Sequence, residues 1–471
     1  MRRKNGARRA GPVMVLTGGM ALLLAAAPAH AAIAGEVSPA DGGVTSLREV
    51  QDGILGWRGI AEGTDSLLLP GDLLDGAGGA ASDWWAFGTA RRGGSESMAS
   101  YLSRLQDAVE KLYEDLDSSL MRLQATDWHR MALTVAALGG DPTAFGTDAE
   151  GNAINLIADG TWNCIQGDPG SQGVNGYTWA LLTMDSGDYE APADGEWTRE
   201  DMIKAILARQ QADGGFALMK SDQSDSDLTA MALTALAPYG EDETVYTYEN
   251  IYSKEKCAST VAEAAEEAFG VLGTLQSSDG SMMTYGERTS ESTNWTVTAL
   301  SSWGRNPLTD EQFIKDGNTL LDGLLLFRLP DGGFIHSLDA EEPEEEANNL
   351  SCYQVLYGLE ACCRMLEGQN RLFDLRDAPV ISREEIEKAG EQLPELTEEP
   401  EKSVEQTKQA AGQRSRLVRV LAIAAVVVVA AALTAAALAG RKKKKKMAAA
   451  SESGGAEGDV SGYGENEDDD W

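Results

Sequence analysis

Apolar and polar positions recur along most of the chain with the period of an amphipathic helix. The runs "REDMIKAILARQ", "VAEAAEEAFGVLGTLQ" and "GNTLLDGLLLFR" place apolar residues three and four positions apart, which predicts helices with one buried face. Each run leads into an Asp-Gly turn, in "QQADGGF" (210–216), "QSSDGSM" (276–282) and "RLPDGGF" (328–334). A second, more apolar run follows each turn. This order of segments indicates an internal repeat.

The more apolar runs align on a small residue followed by leucine. In that register "DLTAMAL" (227–233) matches "NWTVTAL" (294–300), "DWHRMAL" (127–133), "NGYTWAL" (175–181) and, more weakly, "DWWAFGT" (83–89) and "YQVLYGL" (353–359). Their more polar partners lie near 46–60, 96–124, 152–161, 198–211, 260–276 and 309–328. With few strand signals, the sequence predicts an all-α fold in which apolar helices lie inside and amphipathic helices lie outside. Such pairs can form an open solenoid or close on themselves as an α/α toroid.

The turn pattern Q-x-x-D-G-G-F followed by an apolar helix resembles the repeat of protein prenyltransferase β-subunits and of squalene and terpene cyclases. The segments "VNGYTWALLTMDSGDY" (174–189) and "EACCRMLEGQNRLFDLRD" (360–377) are similar to those of exported bacterial prenyltransferase/squalene-oxidase repeat proteins. The resemblance covers residues 80–376 and implies an (α/α)6 toroid of about twelve helices, with a body that we delimit at 40–376. It implies little about chemistry, because these folds host several functions.

Carboxylate and amide side chains lead five of the aligned inner runs: Asp83, Asp127, Asn175, Asp227 and Asn294. Asp and Asn are favoured N-caps, each worth about 1 kcal/mol, and we expect these residues to cap their helices. The resemblance to class II terpene cyclases, whose acid lies in a D-x-D-D-T-A motif, implies an alternative. Asp227 would then be the proton donor and Asp225 its neighbour, although Leu228 stands where the third aspartate belongs. No catalytic residue is assigned otherwise.

The zinc chemistry of the prenyltransferases is not expected. Those enzymes bind zinc through Asp, Cys and His, but the helix beginning at Asn294 has no cysteine, and Leu350 and Ser351 stand where the histidine would fall. Apart from His30 near its start, the chain has only His129 and His336. We expect His129 to be a polar residue at the rim rather than a ligand. No metal and no cofactor is predicted.

Aromatic side chains collect in the first turn of the predicted inner helices. Their rings could stack on a sugar, a corrin or a polycyclic lipid, or could plug a narrow core. The candidate ligand-binding residues are Trp84, Trp85, Asp127, Trp128, Asn175, Tyr177, Trp179, Asp227, Asn294, Trp295 and Tyr353. We expect the protein to bind a small apolar, corrinoid-like or glycan ligand without catalysis. A cyclase-like enzyme and a module for protein contacts are the alternatives.

The two ends of the chain predict an exported protein held by one membrane span. Residues 1–31 combine a basic start, the apolar run "VMVLTGGMALLLAAA" and "APAHA", which predicts a cleaved signal peptide. Residues 420–439 carry no charge, and they are long enough to cross roughly 30 Å of hydrocarbon. "RKKKKK" follows them. We therefore expect a transmembrane helix over 417–440, an acidic stalk over 377–416 outside and a disordered cytoplasmic tail over 441–471. This arrangement resembles surface proteins of Gram-positive bacteria.

Net charge and cysteine content narrow the possible partners. A formal net charge of −36 argues against nucleic acid and anionic lipid, whose phosphates it would repel, and it favours solubility. The five cysteines are few and odd in number, which argues against a disulfide framework, so we expect buried cysteines such as Cys352 and Cys362. The expected partners are the membrane, through the C-terminal helix, and a small molecule.

Overall fold

The computed structural model describes residues 43–62, 67–94, 97–114 and 123–394. These residues are mainly helical, with three short antiparallel hairpins, so the all-α prediction is confirmed. The predicted signal peptide, the apolar run 420–439 and the predicted cytoplasmic tail lie outside the described residues. Within them, no helix combines the length and the apolar composition needed to span a bilayer.

The helices and strands of the described residues are numbered here in chain order. The helices are α1 Val44–Arg58, α2 Gly71–Asp75, α3 Ala80–Gly93, α4 Met98–Glu114, α5 Ala125–Ala137, α6 Leu156–Gly160, α7 Val174–Ser186, α8 Arg199–Leu207, α9 Ser226–Leu236, α10 Val261–Leu275, α11 Ser290–Ser302, α12 Leu320–Leu325, α13 Asn349–Leu366 and α14 Arg383–Gly390. The strands pair as β1 Ala61–Glu62 with β2 Leu67–Leu68, β3 Tyr246–Glu249 with β4 Lys256–Ser259, and β5 Met283–Thr284 with β6 Glu287–Arg288.

Six of these helices occupy the predicted inner positions and form a closed cycle of contacts. Helix α3 packs on α5, α5 on α7, α7 on α9, α9 on α11, α11 on α13, and α13 returns to α3. Helices α11 and α13 run in the same direction. Near their starts Ser351 donates to Glu291, and one turn further along Asn294 donates to the carbonyl of Gln354. All 13 residues of α11 are buried, as expected for a helix enclosed on every side.

The Asp-Gly turns attach each repeat to the helix that follows. The side-chain nitrogen of Gln210 donates to the carbonyl of Gly214 within the turn, at 2.7 Å, and to that of Ala264 in α10, at 3.0 Å. Gln276 makes the equivalent two bonds, at 3.1 and 2.9 Å. The glutamine of the repeat therefore holds the turn closed and binds it to the next pair of helices.

Glycine is required in these turns because another chain segment approaches closely. Gly280 has a φ of +91°, and a Cβ there would lie 2.1 Å from the carbonyl oxygen of Thr319. Gly332 has a φ of +94°, and its Cβ would lie 2.6 Å from the carbonyl oxygen of Gly53 in α1. The last turn thus docks on the first helix, whereas the earlier turns dock on the repeat that follows them.

The inner helices begin earlier than the sequence register predicted, and this corrects the capping assignment. The observed N-caps are Gly79, Gln124, Gly173, Asp225, Thr289 and Asn348. The residues predicted as caps instead lie inside the first two turns of their helices: Asp83, Asp127, Asn175, Asp227 and Asn294. Of these residues Asp127 still supports its helix start, because its carboxylate accepts the N–H of the N-cap Gln124 in a capping box.

The structural alignment of α9 with α11 also differs from the alignment made on the sequence. After each turn a backbone N–H donates to a helix threonine at 2.9 Å, from Phe216 to Thr229 and from Met282 to Thr293. These equivalent threonines align Asp227 with Glu291, not with Asn294. A slip of three residues is close to one helical turn of about 3.6 residues, so the apolar pattern matched in either register.

The folded body extends past the predicted boundary at residue 376. Helix α14 packs on α4, its Ile386 is buried, and the N–H of Ile381 donates to the carbonyl of Gly139 at 2.8 Å. The segment predicted as the start of the stalk is therefore part of the body as far as Pro394, where the compact unit ends.

Candidate functional site

The start of α9 holds two carboxylates with different roles. Asp225 is the cap: its Oδ1 accepts the N–H of Leu228 at 2.9 Å, and its Oδ2 accepts the hydroxyl of Thr284 in β5 at 3.2 Å. Asp227 is partly buried, and its enclosed Oδ1 has no hydrogen-bond partner in the described part of the chain. Burial and the neighbouring Asp225 raise the pKa of Asp227 to about 7, although the hydroxyl of Ser292 lowers it. Asp227 is therefore a carboxyl that can give or take a proton near neutral pH.

Helix α11 supplies a second acidic group, which is fully paired. Glu291 is 6% exposed, and its Oε1 accepts the hydroxyl of Ser351 at 2.6 Å. Its Oε2 lies 2.8 Å from Nδ1 of His336, and this hydrogen bond raises the pKa of His336 to about 9. His336 is thus a cation at neutral pH and pairs with Glu291. Asp227 forms no ion pair within the described residues.

An aromatic cluster lies beside these carboxylates, between the inner helices. Trp295 lies 5.8 Å, between ring centroids, from both Trp179 and Tyr357. Trp84 packs on Trp179 at 5.2 Å and is the partly exposed ring of this group. The indole N–H of Trp295 is buried and has no acceptor among the described residues. The cluster therefore contains an unused hydrogen-bond donor surrounded by aromatic faces.

Phe373 closes the cluster from the opposite end of the helices. It lies in the segment after α13, where the N–H of Leu375 donates to the carbonyl of Ser186 at the end of α7, at 2.7 Å. The ring of Phe373 stacks on Phe87 at 5.4 Å and lies nearly parallel to Trp295 at 6.4 Å. A ring from outside the repeats thus covers the aromatic cluster on the side of the helix C-termini.

Part of the predicted ligand-binding set comes together in the structure. We use the name helix-start site for the predicted residues that lie together near the starts of the inner helices. The site also includes Glu291 and Tyr357, two residues that the sequence register missed. The site comprises Trp84, Trp179, Asp227, Glu291, Trp295, Tyr353 and Tyr357. Tyr357 connects its two halves, because its ring contacts Trp84 and Trp295 and its hydroxyl interacts electrostatically with both carboxylates.

Two predicted aromatic residues lie apart from the helix-start site and a third only borders it, which is a correction. Trp128 donates to the hydroxyl of Tyr113 in α4 at 2.9 Å, and Tyr177 packs on Trp197 at 5.8 Å. Trp85 lies between α1 and α13 and donates to Asn349 at 3.0 Å, and its ring borders the helix-start site through Tyr353, at 6.2 Å between ring centroids. Consecutive helical residues point about 100° apart, so a shared first turn does not give a shared face.

The remaining polar candidates serve the scaffold or lie apart from the site. Asp127 accepts the N–H of Gln124 at 2.9 Å and a hydrogen bond from Arg130 at 3.1 Å. Asn294 is buried and donates to the carbonyl of Gln354 at 2.7 Å. Asn175 is partly buried at the second position of α7, and no contact joins it to the helix-start site.

His129 is a core residue rather than the expected rim residue. It is fully buried, and its Nε2 lies 2.6 Å from the carbonyl oxygen of Gly160. Burial lowers the pKa of His129 to about 4, so the ring is neutral at physiological pH.

The cysteines and acidic groups provide no evident metal centre. The described residues contain no cluster of His, Cys, Asp and Glu suited to a metal ion. The cysteines are unpaired, with Cys164, Cys352, Cys362 and Cys363 buried and Cys257 partly exposed.

No protein-family model matches the chain, and no curated protein matches its sequence.

The helix-start site can therefore hydrogen-bond, stack and exchange a proton. Asp227 supplies a carboxyl that titrates near pH 7, Trp295 supplies an N–H, and the rings supply apolar faces. These groups suit a largely apolar molecule that carries an oxygen.

Proposed function

We propose that the chain is an α/α toroid of the prenyltransferase/cyclase-repeat type that binds a small ligand at the helix-start site. The cyclic packing of α3, α5, α7, α9, α11 and α13 and the repeated Q-x-x-D-G turns support the toroid. The ligand is a largely apolar molecule with a hydroxyl or carbonyl oxygen. A polycyclic lipid fits this description best, with corrinoids and glycans as the other classes to compare.

The observation that carries the proposal is a pair of enclosed polar atoms without partners, Oδ1 of Asp227 and Nε1 of Trp295. A buried polar group left unpaired costs about 1–3 kcal/mol, so a ligand that pairs both atoms recovers this energy on binding. A ligand oxygen can accept from the indole of Trp295, and a ligand hydroxyl can donate to the carboxyl of Asp227. Trp84 is the partly exposed ring of the site, and we propose that the ligand enters beside it.

We further propose that the body is displayed outside the cell on a single C-terminal membrane helix. The basic and apolar residues 1–31 and the uncharged run 420–439 with its lysine flank support this topology. The acidic composition suits an exposed, solvated surface protein and disfavours binding to nucleic acid.

The binding proposal is tested by calorimetry on the purified full-length protein in detergent. The probes are a triterpene alcohol, cobalamin and an oligosaccharide. The variant Trp295→Phe keeps a ring but removes the N–H, and we expect it to bind the preferred probe about ten-fold more weakly, the equivalent of one hydrogen bond. The matched control Trp197→Phe changes a tryptophan that packs on Tyr177 outside the site and should bind like the parent. Equal binding by parent and Trp295→Phe, or no binding of any probe, would contradict the proposal.

One observation favours acid catalysis as a second candidate function. The pKa of Asp227, about 7, is that of a carboxyl which is still partly protonated under physiological conditions. Its proton would pass to an alkene carbon or an epoxide oxygen of the ligand, forming a C–H or O–H bond. The resulting carbocation would lie beside aromatic faces such as those of Trp84 and Trp179. Loss of a proton from the carbocation, or its capture by water with release of a proton, would give the neutral product, and the released proton would restore the carboxyl of Asp227.

Turnover of a polyprene or its epoxide, followed by mass spectrometry, separates catalysis from binding. If Asp227 is the acid, Asp227→Asn abolishes cyclised product while the variant still binds substrate, because an amide cannot deliver the proton. Trp197→Phe is again the control. Undiminished product from Asp227→Asn would exclude this second function.

A further inference from the structure

A separate pocket lies at the opposite ends of the inner helices. This helix-end pocket has a volume of about 240 Å³ and is formed where α7, α9 and α11 finish. Its lining includes Leu182, Thr234, Pro238, Ser302, Arg371 and Phe373. The volume falls just below the roughly 300–1,000 Å³ of sites for drug-sized ligands, so the pocket suits a smaller molecule.

The carboxylates around this pocket are already compensated. Asp185 accepts from Nε of Arg199 and from the hydroxyl of Tyr239, both at 2.7 Å. Asp374 accepts from Arg376 at 2.6 Å, and this contact lowers the pKa of Asp374 against the effect of burial. Asp188, the third acid of the lining, lies 3.5 Å from Arg199. Each of these acids therefore has a cationic partner and little tendency to bind a further cation.

Arg371 differs from these arginines because it has no carboxylate partner among the described residues. Its Nε donates to the carbonyl of Ser302 at 2.7 Å, and one Nη lies 3.5 Å from the carbonyl oxygen of Ala237. These carbonyls lie at the negative ends of α11 and α9, which orient the guanidinium and favour its charge. The hydroxyls of Thr234 and Ser302 are used, since each donates to the backbone carbonyl one turn earlier, at 2.8 Å. Arg371 thus presents unused Nη donors beside an apolar floor.

We propose that the helix-end pocket binds a small carboxylate that has an apolar ring or chain. The carboxylate accepts two parallel hydrogen bonds from the free Nη edge of Arg371, the geometry that a guanidinium offers to planar anions. The apolar part packs on Phe373 and Leu182. A fully polar anion would leave these two apolar side chains exposed to water. This site lies at the far end of the helices from Asp227 and does not depend on the function proposed above.

Three probes of one shape test the charge preference directly: benzoate, benzamide and benzamidine, which are anionic, neutral and cationic. Their affinities are measured by saturation-transfer NMR on the full-length protein in detergent. We expect benzoate to bind at least about ten-fold more tightly than benzamide, because a charge-assisted pair exceeds a neutral hydrogen bond by that factor. Benzamidine should bind more weakly still.

Substitution of the arginine locates the site. Arg371→Gln should reduce benzoate affinity about ten-fold, to that of benzamide. Arg383→Gln is the matched control, because Arg383 also donates to a backbone carbonyl, that of Ala144, and has no carboxylate partner in the described residues. Asp227→Asn should leave benzoate binding unchanged. A wrong proposal for the helix-end pocket can therefore be distinguished from a wrong proposal for the helix-start site. Equal affinity for benzoate and benzamide in the parent protein would overturn the proposal whether or not Arg371→Gln folds, as would full benzoate affinity in a folded Arg371→Gln variant.

Discussion

Replacing Asp227 with asparagine should change how the stability of the protein depends on pH. In the folded state the pKa of Asp227 is about 7, against an ordinary value of 3.8. Between these two values the folded protein holds a proton that the unfolded chain has released. The free energy of unfolding contributed by this group therefore falls as pH rises from about 4 to about 7.

The size of the effect follows from the pKa. A rise from 3.8 to about 7 corresponds to about 4 kcal/mol if the group were fully enclosed. Asp227 is only partly buried, so solvent screening lowers the expected loss, to about 2 kcal/mol. Asparagine keeps the shape without the charge, so Asp227→Asn should gain about 2 kcal/mol over the parent between pH 4 and pH 8.

The assay is urea unfolding of parent and variant at pH 4, 6 and 8, followed by tryptophan fluorescence. His336 titrates in both proteins, and its contribution cancels to first order in the difference. Asp225→Asn is the companion variant, because removing that neighbouring charge should reduce the same pH dependence in part. A parent and Asp227→Asn variant with parallel pH profiles would refute the reasoning, as would a variant destabilised equally at every pH.

Substitutions at three positions and one topology test check other parts of the account. His336→Gln should remove a stabilisation that is complete below pH 6.5 and lost as pH rises through about 9, because the folded pKa of His336 is raised; urea unfolding at pH 6 and 10 shows it. Asp225→Ala should cost about 1 kcal/mol of unfolding free energy, as for a lost N-cap, and Asp225→Asn much less. Phe373→Ala should cost about 3–5 kcal/mol and alter the near-UV circular dichroism of the aromatic cluster. Protease added to intact cells should remove the body and spare an epitope at 451–471; an accessible epitope would contradict the proposed topology.

The sequence predicted the helices well because each inner run is apolar on nearly every face and each outer run on one. It placed their starts less well. Asp favours the first turn as well as the cap, so Asp127 looked like a cap although Gln124 fills that position.

Because the helix starts were misplaced, only part of the helix-start site could be predicted from the sequence. Asp227 and Trp295 were identified, but the three-residue slip hid Glu291, the structural counterpart of Asp227. Aligning on Thr229 and Thr293, whose contacts repeat, would have revealed it. His336 and Phe373 reach the site from outside the inner helices, and no local pattern marks such long-range contacts.

The most direct test of a ligand-binding helix-start site is hydrogen–deuterium exchange on the full-length protein with and without the probe that binds best by calorimetry. The account predicts slower exchange in the first turns of α9 and α11, around Asp227 and Glu291, and no change in the segment around Arg371. Protection confined to the Arg371 segment, or no protection anywhere while the probe is bound, would contradict it.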